Sequence, residues 1–191
     1  MDARELARDQ RLQFADVLSD LDDSQWDAPT LCAGWCVRDV AAHVISYLNR
    51  SVPELLTGLV QSGGSLSRLN DTGIRDVRNA GPEDLCYLMR KGATPRGVGV
   101  GFGGRVALVE CVIHQLDVCR PLGILAPIPA ERLRTSLDFA RLSPVIRGGW
   151  HTRGTRLVAT DLDWATGYGA QHHDTAENLL LEMSGRTTHT C

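Results

Sequence analysis

Two residues in one apolar run, Glu110 and His114, have the chemistry of metal ligands. They are four positions apart in RVALVECVIHQLDVCR, so in a helix they share one face and lie one turn apart. Burying a carboxylate and an imidazole without a partner is costly in free energy, and one bound cation would compensate both groups. The spacing therefore favours a metal-binding pair, although the same spacing also arises by chance in helices that bind no metal.

His43 is the natural third ligand, because it lies late in the apolar run AAHVISYL and is expected to face inward. Two histidines and one glutamate around an open position form a common catalytic zinc site, in which water or substrate takes the fourth place. An inward histidine is also common as a hydrogen-bonded core residue, so the residues alone leave both interpretations open. Asp117 follows His114 by three positions and continues the same helical face.

The remaining cysteines and histidines give weaker indications of chemistry. Six cysteines occur, none of them in a CxxC pair, and Cys32 and Cys36 lack the second pair that a zinc finger needs. We therefore expect free thiols, as in a reducing compartment. His151 is ambiguous, and three histidines in polar or terminal contexts are expected at the surface: His172, His173 and His189.

Apolar residues at helical spacing predict the elements that position these side chains. A first amphipathic helix covers residues 3–21. A second begins near Cys36 or Val37, where Asp39 stands in the place of a capping-box residue. The apolar run that carries Glu110 is a buried helix, which the following RPLG ends.

Two segments lack this periodicity, and a third has a different one. Residues 61–83 are rich in Gly, Ser, Asn and Asp, which predicts a long connection. The loop GVGVGFGG lacks the lysine of a phosphate-binding loop, so we interpret it as a flexible connector. After Trp150, the segment TRLVATDLDWATGYG predicts a strand and a turn, and AENLLLEMSGR predicts a last short helix.

These elements predict a mainly α fold with about four core helices and a small C-terminal α/β appendage. We assign the helical bundle to residues 1–150 and the appendage to residues 151–191. The hydrophobic content of 43% suffices for a core, and the net charge of −3 disfavours a general nucleic-acid binder. We see no apolar stretch of membrane-spanning length and no secretory signal, so we expect a cytoplasmic monomer or homodimer without nucleic-acid or membrane partners.

Several ordered motifs together resemble the mycothiol-dependent maleylpyruvate isomerase family of the DinB-like superfamily. The motifs are LCAGWCVRDVAAHV, RVALVECVIHQLDVCRPLG, and LVATDLDWATGYG with LLLEMSGR. The resemblance extends from about residue 5 to residue 187, and its most specific pieces surround His43 and the end of the helix that carries His114. Two departures are Cys36, where the family commonly has threonine, and the short C-terminal appendage, which leaves the substrate open.

The resemblance implies a DinB-like four-helix bundle with a divalent metal ion, most commonly zinc, on His43, Glu110 and His114. It implies that Asp117 is a catalytic carboxylate, placed either behind the ligands or facing the substrate. Arg186, in the pair Gly185-Arg186, would bind a carboxylate group or the thiol cofactor. Mycothiol would be the co-substrate, and a small electrophilic molecule would be the substrate.

The same resemblance suggests a reaction. A thiol in the open metal position would lose its proton, and the thiolate would attack an electrophilic carbon. Addition and later expulsion at a conjugated double bond gives cis–trans isomerisation, whereas addition without expulsion gives S-transfer. Two other functions remain compatible with the sequence: a metal-stabilised binding or regulatory protein, whose site would need a fourth protein ligand, and a metal-water hydrolase.

Overall fold

The computed structural model describes residues 2–48, 50–77, 80–144 and 146–186. The chain divides into two compact units, Met1–Ala126 and Pro127–Cys191. The first unit contains a 3₁₀ segment, Gly97–Gly104, and seven described α-helices: α1 Ala3–Ser19, α2 Asp23–Trp26, α3 Val37–Leu48, α4 Val52–Gln61, α5 Leu66–Val77, α6 Pro82–Lys91 and α7 Arg105–Leu122.

Four of these helices form the bundle that the sequence predicts. Helix α1 packs against α6 and α7, and α3 packs against the same two helices, so that the four surround a common core. Phe14 and Leu18 of α1 and Leu108 and Val112 of α7 are fully buried in this core. The expected mainly α fold is therefore confirmed, and α1, α3 and α7 lie where the helical periodicity places them.

Helix α5 corrects the prediction of a long connection over residues 61–83. Its Leu69 and Ile74 are buried, and the helix packs against α3. The segment has a low intrinsic helix propensity because of its Gly, Asn and Asp residues. Burial of two apolar side chains against α3 overrides that propensity, an effect that the local sequence does not reveal.

The glycine-rich segment Gly97–Gly104 is packed, and a close approach requires glycine at Gly97. It lies against α1, α3 and α7. Gly97 has a φ of +52°, and a Cβ atom there would lie 1.9 Å from the carbonyl oxygen of Arg50. Phe102 has a φ of +53°, an uncommon conformation for a bulky residue. The flexible connector that we expected is thus a tightly held turn before α7.

The segment Gly97–Leu122 is long and apolar enough to cross a membrane by length and composition alone. We expected no such stretch. Non-helical backbone at Gly101, Phe102 and Gly103 interrupts the segment before α7 begins. Helix α7 itself packs in the bundle and buries His114 and Asp117, as the core helix of a helical bundle does.

The second unit contains α8 Ala130–Ala140, α9 Gly148–His151, β1 Thr155–Ala159, β2 Ala165–Gly167, β3 Ala170–Asp174 and α10 Ala176–Met183. The strands form one sheet in the order β2-β1-β3, with β1 antiparallel to β2 and parallel to β3. Helix α10 packs against α8, α9 and β1. The division of the chain therefore precedes α8, whereas we expected it at residue 150, because α8 shares its core with α10.

Candidate metal centre

Two neighbouring bundle helices bring the three expected ligands together. His43 lies on α3, and Glu110 and His114 lie one turn apart on α7. The Oε2 atom of Glu110 is 3.3 Å from Nε2 of His114 and 3.8 Å from Nε2 of His43. One potential ligand atom from each side chain lies within 4.8 Å of the other two. The two imidazole rings meet edge to face, with centroids 4.9 Å apart.

Helix α3 begins as the sequence predicts, and this sets the position of His43. The backbone N–H of Cys36 donates to Oδ2 of Asp39 at 3.2 Å, and so does the Cys36 thiol. The carboxylate thus caps the first turn of the helix in the manner of a capping box. Burial raises the pKa of the Cys36 thiol. The cap fixes the start of α3, and His43 follows about two turns later.

Charge is distributed unevenly over the three ligands. Burial alone would raise the pKa of Glu110, but its hydrogen bonds and charge interactions with His114 and His43 hold that pKa well below its ordinary value. Burial alone would lower the pKa of His114, but hydrogen bonds to Asp117, Cys32 and Glu110 raise it well above its ordinary value. Without a metal ion, these interactions favour a carboxylate beside a protonated imidazole, and a cation would replace the proton on Nε2 of His114.

The donor set fits a divalent transition metal ion. Two imidazole nitrogens and a carboxylate oxygen are the ligands of many catalytic zinc sites. Atoms that lie about 2.1 Å from a tetrahedral ion are about 3.4 Å from each other, close to the separations of Glu110 from the two histidines. Among the residues that the structure describes, no fourth protein ligand belongs to this group. The arrangement can therefore leave a coordination position for another molecule.

Asp117 lies behind His114 and not beside an open position. Its Oδ2 is 2.9 Å from Nδ1 of His114, and its side chain is fully buried. This contact directs Nδ1 of the imidazole towards Asp117 and leaves Nε2 towards Glu110. Of the two roles that the resemblance implied for Asp117, the geometry favours the one that acts through His114, because a fully buried carboxylate does not face a substrate.

Two further side chains lie at the centre although the sequence analysis did not predict them there. The Cys32 thiol donates to Oδ2 of Asp117 at 3.0 Å and lies 3.8 Å from Nδ1 of His114. The ring of Trp35 lies 5.0 Å from that of His43. Both residues stand in the motif LCAGWCVRDVAAHV, which is the signal that could have found them. Spacing rules could not, because Cys32 and Asp117 are 85 positions apart.

The other residues singled out by the sequence belong to the C-terminal part of the chain. Arg186 belongs to the second unit, where its Nη1 donates to the carbonyl of Ser184. His172, expected at the surface, is half-buried on β3 with Nε2 3.0 Å from Oε1 of Glu182 on α10. His173 is exposed, as expected. His189 lies outside the described residues.

Comparisons with known proteins agree with the resemblance seen in the sequence. Residues 7–97 match the family model described as the mycothiol maleylpyruvate isomerase N-terminal domain. This match includes His43 and ends before α7. No curated protein sequence matches the chain.

Two crystal structures of a mycothiol-dependent maleylpyruvate isomerase are similar to the chain, one of them a variant in which a histidine is replaced by alanine. Their TM-scores are 0.61 and 0.60, at 17% identity. The similarity covers 97% of this chain and 89% of each of those chains. At this identity the structures show a common fold, so α8 and the sheet are part of the shared architecture together with the bundle.

Proposed function

From the match of residues 7–97 to the mycothiol maleylpyruvate isomerase N-terminal domain family, we propose that the chain is a zinc-dependent enzyme that uses a low-molecular-weight thiol. The observation that carries the proposal is the convergence of His43, Glu110 and His114 from two bundle helices. The substrate would be a small electrophilic molecule, and the reaction would be cis–trans isomerisation or S-transfer.

The side chains of the centre would have two roles, metal binding and orientation of a ligand. His43, Glu110 and His114 would hold the ion, and Asp117 would keep Nε2 of His114 turned towards it. A divalent ion bound there would lower the pKa of a thiol that ligates it, which supplies a thiolate nucleophile near neutral pH. Glu110 is the most accessible of the three ligands, with 20% of its side chain exposed, so thiol and substrate would approach from its side.

Mycothiol is the thiol that the match to this family favours, and Arg186 would bind a carboxylate of the thiol or of the substrate. We further propose a cytoplasmic location. Five cysteines in the described part of the chain form no disulfide with one another, as is usual for proteins of a reducing compartment.

Metal analysis combined with two activity assays tests the proposal. The zinc-loaded chain should hold one ion at this centre and should either conjugate mycothiol to a model electrophile or isomerise maleylpyruvate only when mycothiol is present. His114→Ala should lose the ion and both activities, whereas His173→Ala, at an exposed histidine, should keep them.

The alternatives predict different outcomes of the same experiment. Bound zinc with neither conjugation nor isomerisation would leave a metal-stabilised binding protein. Hydrolysis of an ester or amide without any thiol would support a metal-water hydrolase. Stoichiometric zinc in the His114→Ala variant would refute the ligand set itself.

A further inference from the structure

A thiol outside the ligand set lies against the back of the candidate metal centre. The side chain of Cys32 is only partly buried, yet its Sγ donates to Oδ2 of the fully buried Asp117 at 3.0 Å. The same Oδ2 atom is 2.9 Å from Nδ1 of His114. We propose that Cys32 is a positioning residue of the metal centre, which acts through Asp117 on the orientation of His114. This inference rests on the proposed metal site.

Cys32 is not itself placed to bind the same ion as His43 and Glu110. Its Sγ lies on the Nδ1 side of His114, at 3.8 Å, whereas Glu110 lies at Nε2 of that ring. The two nitrogens of an imidazole point in different directions, so a ligand of one does not share an ion with a ligand of the other. Sγ of Cys32 therefore contacts the carboxylate of Asp117, which in turn orients the ligand His114.

The loop that carries Cys32 is held rigidly, which a positioning role requires. The N–H of Cys32 donates to Oγ1 of Thr30 at 3.2 Å, and its carbonyl accepts the N–H of Trp35 at 3.0 Å. This last hydrogen bond closes a four-residue turn over residues 32–35. Gly34, at the third position of the turn, has a φ of +80°, where glycine is favoured. Leu31, the preceding residue, donates its N–H to the backbone carbonyl of Asp117 at 3.1 Å.

Pro121 explains why that carbonyl is available to the loop. In an α-helix, the carbonyl of Asp117 would accept the N–H of residue 121, but proline has no N–H. Pro121 lies in the last turn of α7, so the Asp117 carbonyl receives no hydrogen bond from position 121. The backbone N–H of Leu31 donates to this carbonyl instead. The loop is thus attached to Asp117 twice, through the Leu31 backbone and through the Cys32 thiol.

The carboxylate of Asp117 then receives hydrogen bonds on the same oxygen from two sides. A carboxylate that accepts from both the thiol and the imidazole is restricted to one rotamer, and it restricts the imidazole in turn. Loss of the thiol donor leaves Asp117 freer to rotate away from His114. Removal of such an outer partner typically weakens metal binding by about 10- to 100-fold in proteins.

Zinc affinity of the full chain, measured by competition with a chromophoric chelator, tests the proposal. Cys32→Ala should bind zinc about 10-fold more weakly than wild type. Cys32→Ser keeps a donor at this position and should restore most of the affinity. Cys86→Ala removes a buried thiol of α6, outside the centre, and should bind as wild type does.

A spectroscopic readout separates positioning from a general loss of packing. In the Co²⁺-substituted chain, Cys32→Ala should change the visible d–d spectrum, whereas Cys86→Ala should leave it unchanged. If wild type binds zinc and Cys32→Ala has the same affinity and the same cobalt spectrum, the role of Cys32 is refuted and the metal site stands. If wild type binds no zinc, both the metal site and the role of Cys32 are refuted.

Discussion

At the scale of single residues, the centre is defined by which nitrogen of each imidazole faces Glu110. His114 presents Nε2 to Glu110 and Nδ1 to Asp117, so its two ring nitrogens have separate partners. Every one of these contacts involves a buried or half-buried group, where electrostatic interactions are stronger than in water. Small changes in protonation at this centre therefore affect both metal binding and stability.

The metal-free protein should lose stability as the pH rises above about 6.5, the ordinary pKa of histidine. The pKa of His114 is raised in the folded state, so its contribution is fully present below that value and is lost as the pH rises through the folded pKa. The pKa of Glu110 is lowered, so its contribution persists above about 4.3 and is lost only at strongly acidic pH. Urea unfolding in the presence of a chelator, from pH 6 to pH 9, measures the alkaline decline.

His114→Gln serves as the control for this pH dependence, because glutamine does not titrate. The variant should show a flatter profile between pH 6 and pH 9 than wild type. Identical slopes for the two proteins would show that the decline arises from other groups and that His114 is not protonated beside Glu110.

At the scale of elements, the end of α7 connects the ligand helix to the loop 27–36. Pro121 has no N–H to donate to the Asp117 carbonyl, and the backbone N–H of Leu31 donates to that carbonyl instead. The same helix end carries Gly123, with a φ of +65°, which terminates α7. The RPLG motif therefore does more than stop a helix, because it places the loop against the back of the centre.

Pro121→Ala should loosen the loop while leaving α7 intact. The new N–H at position 121 would compete with Leu31 for the Asp117 carbonyl, so amide exchange at Leu31 should quicken by about 5-fold, as loss of about 1 kcal/mol of hydrogen bonding implies. Hydrogen exchange followed by NMR measures this rate. Pro82→Ala, in the first turn of α6, is the control, since an N–H at the start of a helix has no helical carbonyl to donate to. Unchanged exchange at Leu31 would refute the role of Pro121.

The sequence predicted the elements with strong periodicity and missed those that depend on distant contacts. The spacing of Glu110, His114 and Asp117 within one helix fixes their common face, so their proximity was predictable. Helix α5 and strand β3 were missed, because Leu69 and Ile74 show a helix only when α3 covers them, and AQHHD has no apolar alternation. The position of Cys32 was missed for the same reason, since only the folded bundle brings its loop to α7.

At the scale of the whole molecule, the centre lies within one unit and the bundle around it carries an unusual buried charge. Arg11 of α1 is fully buried, and its guanidinium nitrogens make no hydrogen bond in the described part of the chain. Burial lowers its pKa, and the nearby Cys111 partly offsets this effect. A buried charge without hydrogen bonds destabilises a fold by several kcal/mol.

Arg11→Met should therefore stabilise the bundle, by about 1–4 kcal/mol in the free energy of unfolding. Methionine fills a similar volume without a charge. Chemical denaturation measures the change, and Arg8→Met, at a largely exposed residue paired with Asp9, should have little effect. A marked loss of stability in Arg11→Met would contradict this account, because it would mean that the guanidinium has a stabilising partner in the core.

Anomalous diffraction at the zinc absorption edge would locate the divalent ion that we propose between α3 and α7. We expect a peak about 2.0–2.2 Å from Nε2 of His43, Oε2 of Glu110 and Nε2 of His114 in crystals of the zinc-loaded chain. Another group of potential ligands, His172, Asp174 and Glu182, lies in the other unit and serves as a comparison within the same crystal. A peak only at that group, or no peak between α3 and α7, would refute the metal site on His43, Glu110 and His114.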